Sequence, residues 1–187
     1  MSDAFDLLIV GDANPDVVLH GAPPQLAYGQ AEQLVESGAL TVGGSGGIMA
    51  CAAARLGLRS AFASLVGGDA AGRFMLEELT RRGVHVGGVG VRQDLATGLT
   101  VALARGDDRA IVTFPGCIDA LTAAMVDQDL LRGARHLHVS SFYLQPRLAP
   151  APPSTSTGTL RSSGTAGSTS ASPPSTCSSS TPPRRPP

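Results

Sequence analysis

Short apolar runs bounded by glycine alternate with helically spaced segments along the first 150 residues. Phe5 to Val10 is a continuous apolar run ending at Gly11, as expected of a buried strand. Beyond the Asn14-Pro15 turn, Asp16 to Leu19 continues extended. Gly46 to Leu56 carries Ile48, Cys51, Ala52 and Leu56 near helical spacing, with Gly57 placed as a C-terminal cap. Ser60 to Val66 reads as the next strand. Ala70 to Arg82 reads as an amphipathic helix with Phe74, Leu76 and Leu79 inward, stopped by Gly83. Val84 to Val91 is extended. Gly98 to Ala104 and Ala110 to Thr113 flank Arg105-Gly106-Asp107-Asp108-Arg109, a hairpin signal. Thr122 caps a predicted helix running to Arg132, and His136 to Ser140 reads as another buried strand.

Strands alternating with helices predict an α/β fold with a mainly parallel sheet. The hairpin interrupts that alternation and predicts a small antiparallel piece outside the sheet. The pattern ends at Pro150. Residues 151–187 are mostly Ser, Thr and Pro, with one leucine and no acidic residue; the last acid in the chain is Asp129. Such a segment buries too little apolar surface to offset its ordering entropy, so it is read as a disordered tail behind a domain of residues 1–150.

Composition narrows the chemistry. All fourteen basic residues are arginine, so both a Walker A lysine and a Schiff-base lysine are excluded. The net charge of −1 and the lack of a basic stripe argue against a nucleic-acid partner. The N-terminus has no basic segment followed by an apolar run, and no stretch is apolar enough to span a membrane. Three widely spaced cysteines, Cys51, Cys117 and Cys177, do not make a disulfide framework, and a cytoplasmic protein is expected. His136 and His138 share a strand face without a nearby acidic or cysteine partner and are read as a strand end rather than a metal site. Gly68-Asp69 is read chiefly as the opening and cap of the following helix, Asp127 and Asp129 as a solvated helix face, and the Arg-Gly-Asp tripeptide as chance.

The densest glycine cluster, Gly43-Gly44-Ser45-Gly46-Gly47, opens a helix, as phosphate-binding turns do. It does not follow the first strand, and G-x-G-x-x-G fails because Met49 stands where the third glycine belongs. A tight turn before a packed helix is the plain alternative. Three patches together carry more: Gly11-Asp12-Ala13-Asn14-Pro15-Asp16, the glycine turn, and Val66-Gly67-Gly68-Asp69-Ala70-Ala71-Gly72. With Thr97-Gly98-Leu99-Thr100, the Asp107-Asp108-Arg109 hairpin and Pro115-Gly116-Cys117-Ile118-Asp119-Ala120, their order resembles the PfkB carbohydrate kinases, from Asp6 to Pro146.

The resemblance implies a ribokinase-like sheet with helices on both faces and a β lid. It implies a sugar or sugar-like alcohol as substrate, bound by Asn14, Asp16 and the turn Gly43, Gly44, Ser45 and Gly46. Asp16 would hold sugar hydroxyls, since a carboxylate accepts two hydroxyl bonds at once, and the glycines would bring bare N–H groups close to the sugar. It implies a homodimer through the lid, and ATP with magnesium for the intact enzyme. Many relatives carry asparagine where this chain has Ile48, which puts ribose in doubt as the substrate. The family's catalytic Gly-Ala-Gly-Asp and magnesium-organising Asn-x-x-Glu do not occur here, so no catalytic, cofactor or metal residue is assigned and the chain is expected to be inactive as a kinase.

A change of reading frame near residue 150 would account for the loss. Permitted codons for Ser154 to Ser162, read two bases on, give Asp-Ile-Asn-Trp-Asp-Pro-Ala-Glu, and the same shift over Ser175 to Arg184 allows an Asn-x-x-Glu. A natural disordered tail is the rival reading of that segment. The alternative function is a non-catalytic α/β module that binds a small polyol or a protein partner.

Overall fold

The computed structural model describes residues 4–149. The boundary at residue 150, the tail, its frame-shifted reading and Cys177 lie outside the described residues. The element order is β1 (Phe5–Val10), β2 (Pro15–His20), β3 (Ser37–Val42), α1 (Ser45–Arg55), β4 (Ser60–Gly67), α2 (Ala70–Arg81), β5 (His85–Arg92), β6 (Leu99–Arg105), β7 (Asp108–Phe114), α3 (Gln128–Arg132) and β8 (Ala134–Val139), with short 3-10 turns between β7 and α3 and after β8.

Two four-stranded sheets form. The main sheet, ordered β5-β4-β1-β8, is wholly parallel. Its central strand β4 is buried at every position, which explains its unbroken apolar and small-residue run. Alternation along β1 and β4 divides the core in two. Leu8, Val10, Ala61, Ala63 and Leu65 face Cys117, Leu121 and Val126 on one side. On the other, Ile9, Phe62 and Val66 pack with Ala50, Met75 and Leu79 of α1 and α2. Asp6 ties β1 to the start of β4 by accepting from the Arg59 backbone at 2.9 Å and its guanidinium at 3.1 and 2.9 Å. Those bonds hold its carboxyl well below the ordinary range.

The second sheet is the predicted antiparallel piece, enlarged. Its order is β3-β2-β6-β7, with β2 and β6 parallel and both outer pairs antiparallel. The β6–β7 hairpin lies where the sequence puts it. Strand β3 was not anticipated, because Ser-Gly-Ala-Leu-Thr-Val is small and mostly exposed and lacks an apolar run.

Four further expectations are corrected. First, α1 turns Gly46, Gly47, Ala50 and Ala53 inward. Ile48 and Leu56 are 53% and 81% exposed. The helix lies so close to the sheet that a Cβ on Gly46 would meet the Phe62 ring and the Gly11 backbone, so its smallest residues face inward. Second, α2 buries Met75 and Leu79 fully, with Phe74 and Leu76 only at the margin. Third, the helix predicted from Thr122 is broken into a 3-10 turn, Ala123–Met125, and α3; Asp127 caps α3, accepting from the Asp129 backbone at 2.7 Å, while Thr122 makes no side-chain cap. Fourth, β8 is mostly exposed, because it pairs with β1 alone and sits at the sheet edge among the described residues.

Candidate functional site

The site grows from the carboxyl end of β1. There the chain leaves the main sheet through Gly11-Asp12-Ala13-Asn14 and enters β2 of the second sheet at Pro15. The glycine turn between β3 and α1 folds over this crossing. Gly44 has φ 71°, a left-handed conformation that favours glycine, and a Cβ there would meet Asp12 and Asn14. A Cβ on Gly43 would run into the Asp16 carboxylate. The two sequence patches, thirty residues apart, are thus brought into one cluster.

Asp12, only 6% exposed, is the residue that sequence reasoning missed. Its carboxylate accepts from the Ser45 and Gly46 N–H groups at 3.2 and 3.0 Å, and its carbonyl accepts from Gly47 at 3.2 Å. Gly43 in turn donates to the Asn14 carbonyl at 2.9 Å. The N-terminus of α1 is an anion site already filled by the protein's own carboxylate. An acid just past a strand end and a helix opening in glycine were the available signal.

Asn14 is buried, and its amide donates to Asp16 Oδ1 at 3.2 Å and to Thr100 Oγ1 at 3.1 Å. The Thr100 hydroxyl lies 3.1 Å from that of Thr113 on β7. Strand register explains the grouping. Asp16 pairs with Thr41 on β3 and Thr100 on β6, and Thr100 pairs with Thr113, so one polar row crosses all four strands on one face. Burial, then the nearby charge of Asp12, raises the half-buried Asp16 carboxyl above its ordinary value. The Thr100 hydroxyl and the charge of Arg109 pull the other way. A carboxylate held partly desolvated beside hydroxyl groups suits recognition of neutral hydroxyls.

Of the expected site residues, Asn14, Asp16, Gly43 and Gly44 come together. Gly46 lies beneath them against the sheet, and Ser45 is exposed. The N–H groups of Gly43, Ser45, Gly46 and Gly47, expected to face a ligand in part, are instead bonded within the protein. Among the described residues no group of three or more His, Cys, Asp and Glu side chains comes together to hold a metal, and the Asp12 carboxylate occupies the N-terminus of α1.

A second carboxylate joins the main sheet to the second. Asp69 caps α2 by accepting from Gly72 N–H at 2.8 Å, and it accepts from the Thr97 N–H and hydroxyl at 2.8 and 2.7 Å. Thr97 stands just before β6, and its hydroxyl also accepts from Gly67 at 2.8 Å. Burial works against the Asp69 charge, but the bonds from Thr97 and Gly72 outweigh it and hold the carboxyl below its ordinary value. Asp69→Ala is expected to lower stability by about 2–3 kcal/mol through loss of the cap and of the Thr97 bonds. Urea denaturation of the two proteins checks this. Cys117 follows the hairpin, donating from its thiol to the Leu65 carbonyl at 3.3 Å, and burial pushes its ionisation up.

A model of the pfkB family of carbohydrate kinases matches residues 4–163, running a short way into the Ser/Thr/Pro-rich segment. The chain is 38% identical over 96 residues to a 2-dehydro-3-deoxygluconokinase of Bacillus subtilis, an alignment covering 49% of this chain and 30% of that protein. Among solved structures, it resembles a ribokinase of Arabidopsis thaliana complexed with ribose and ATP, with TM-score 0.63 and 26% identity over 74% of this chain and 45% of that one. A PfkB protein from Polaromonas gives TM-score 0.62 and 26% identity over 72% of this chain and 44% of that one. The chain spans less than half the length of each of these relatives. These neighbours place the chain in a ribokinase-like α/β fold. The chain belongs to the pfkB family of carbohydrate kinases.

Proposed function

We propose that this chain is the sugar-binding and lid part of an ATP-dependent kinase for a sugar or sugar-like alcohol, with Asp16 and Asn14 as the hydroxyl-binding pair. The observation that carries the reading is the partly desolvated Asp16 carboxylate at the start of β2, set against Gly43 and bonded to Asn14. The relatives' names support the substrate class: one is a 2-dehydro-3-deoxygluconokinase and another a ribokinase complexed with ribose and ATP. The second sheet then acts as a lid that excludes water from the bound sugar.

The chain alone does not transfer phosphate in this proposal. Asn14 is its single asparagine, so no Asn-x-x-Glu is present, and no Gly-Ala-Gly-Asp supplies a base. Incubating the 187-residue protein with ATP, magnesium and a panel of sugars is expected to give no ADP above the buffer rate. Sugar-dependent ADP release would overturn this part of the proposal. The frame change near residue 150 belongs to the same reading, and sequencing the gene past codon 140 tests it: a frame restoring both motifs supports it. A cytoplasmic location is likewise part of the proposal; among the described residues no helix is long and apolar enough to cross a membrane.

The proposed partner is a second copy of this chain. On the face of the second sheet opposite Asp16, strand register lines up Leu40, Val17, Val101 and Val112, with Leu19 and Leu103 in the next row. Leu40 and Val112 are 52% and 63% exposed. A continuous apolar sheet face of this kind is a docking surface. Val101→Arg is expected to convert a dimer to a monomer in light scattering, and a wild-type monomer would contradict the pairing.

A further inference from the structure

The apolar stripe that sequence spacing assigns to the inner face of α1 lies on its outer face. Counted from Ile48, the residues Cys51, Ala52 and Arg55 follow at three, four and seven positions and share one side of the helix. Together with Val42 at the end of β3 and Arg82 just after α2, they line a cleft of about 470 Å³. Small-molecule sites run from about 300 to 1,000 Å³. Exposed apolar residues scattered singly are ordinary. Here Ile48, 53% exposed, stands in the first turn of α1, and the same cleft turns cationic at Arg55 in the last. The positive charge is not fully neutralised. Arg81 holds Glu78 at 3.0 and 2.6 Å, while Arg82 reaches the same carboxylate only at 3.4 and 3.3 Å. Arg55 has no ion pair among the described residues. Burial pushes the Cys51 thiol up against the pull of Arg82, so it lines the cleft as a small neutral group.

We propose that this cleft is a second ligand site, binding a small carboxylate with an apolar body. The carboxylate sits between Arg55 and Arg82, and the body lies along Ala52, Cys51 and Ile48 toward Val42. Guanidinium groups match a carboxylate in charge and in hydrogen-bond geometry. Burial of the body against the helix stripe supplies the rest of the binding. Ile48 and Arg55 are about 10 Å apart along the helix axis, the length of an extended chain of roughly eight carbons. A neutral ligand leaves the guanidiniums without a new partner, and an anion without a body leaves the stripe in water. The cleft uses none of the residues assigned to the sugar, so this inference stands or falls apart from the sugar-binding reading.

Arg55 also faces the negative end of the α1 dipole, and Arg82 also pairs with Glu78, so the test must separate binding from these structural roles. Octanoate, below its micelle concentration, is titrated into the 187-residue protein while amide chemical shifts are followed. The expected result is saturable shifts at Ile48, Cys51, Ala52, Arg55 and Arg82, retained in Asp16→Asn. Octanamide, with the body but no charge, and acetate, with the charge but no body, are each expected to bind about tenfold more weakly or worse. Arg55→Gln and Arg82→Gln are each expected to weaken octanoate about tenfold, while Arg105→Gln, outside the cleft, leaves it unchanged. Thermal melts check that the variants fold. No saturable shift, shifts centred away from α1, or equal binding of octanoate and octanamide would overturn the site. So would undiminished binding in both cleft variants, or an equal loss in Arg105→Gln.

Discussion

Replacing Asp12 by alanine is expected to destabilise the protein by about 3 kcal/mol, roughly 10 °C in Tm for a chain of this size. The side chain is buried and accepts the first N–H groups of α1 at 3.2 and 3.0 Å. Removing it leaves two donors of a helix N-terminus without partners beneath the glycine turn, and removes a negative charge from the positive end of the helix dipole. The turn cannot repair this by sliding inward, since Gly46 already packs against Phe62 and Gly11. Asp12→Asn keeps one acceptor and is expected to lose about half as much. Scanning calorimetry of the three proteins measures both, and a melting temperature unchanged in Asp12→Ala would show that the turn is held by other means.

The second large effect is at Asp16. Asp16→Asn is expected to weaken sugar binding by about 100-fold or more, because two charge-assisted hydroxyl bonds become one neutral acceptor and a misplaced donor. The same substitution is expected to stabilise the free protein at neutral pH. Burial and the charge of Asp12 raise the Asp16 carboxyl, so the folded state holds its proton more tightly than the unfolded chain does. The sign follows: the Asp16 contribution to stability is fully present below the unfolded value near 3.8 and is lost as pH rises through the elevated folded value. Wild type should therefore gain on Asp16→Asn as the pH is lowered through that window. Melting curves at a series of pH values check the direction. A variant less stable than wild type at pH 7 would mean that Asp16 is held by interactions stronger than its desolvation.

The two effects oppose each other, which is what a binding carboxylate kept partly dry would produce. Asp69, in contrast, is held below its ordinary value by Thr97 and Gly72, and serves structure. Two acids in glycine-flanked patches thus have opposite environments, although the sequence presents them alike.

Much of the fold was legible because its signals are local. The apolar runs at Phe5–Val10 and Ser60–Gly67, the Gly57 and Gly83 stops and the Gly106 hairpin each specify an element without distant help. The inward face of α1 was not legible, because close approach of helix and sheet selects glycine and alanine over the more apolar Ile48. Strand β3 was hidden for a related reason: its stability comes from pairing with β2, not from its own composition. At the site, Asn14 and Asp16 could be named only through the resemblance of their patch and the glycine turn to the pfkB kinases. The role of Asp12 and the continuation of the row through Thr100 and Thr113 depend on register across β2, β6 and β7, and no linear pattern carries register over such distances.

The most direct measurement of the central claim is amide chemical-shift mapping of the protein during titration with D-ribose, D-fructose and D-gluconate. The account predicts saturable shifts for at least one sugar, clustered at Asn14, Asp16, Gly43 and Gly44 and extending to Thr100 and Thr113, all abolished in Asp16→Asn. Shifts that are absent for every sugar, or that cluster away from the crossing of β1 into β2, would contradict it.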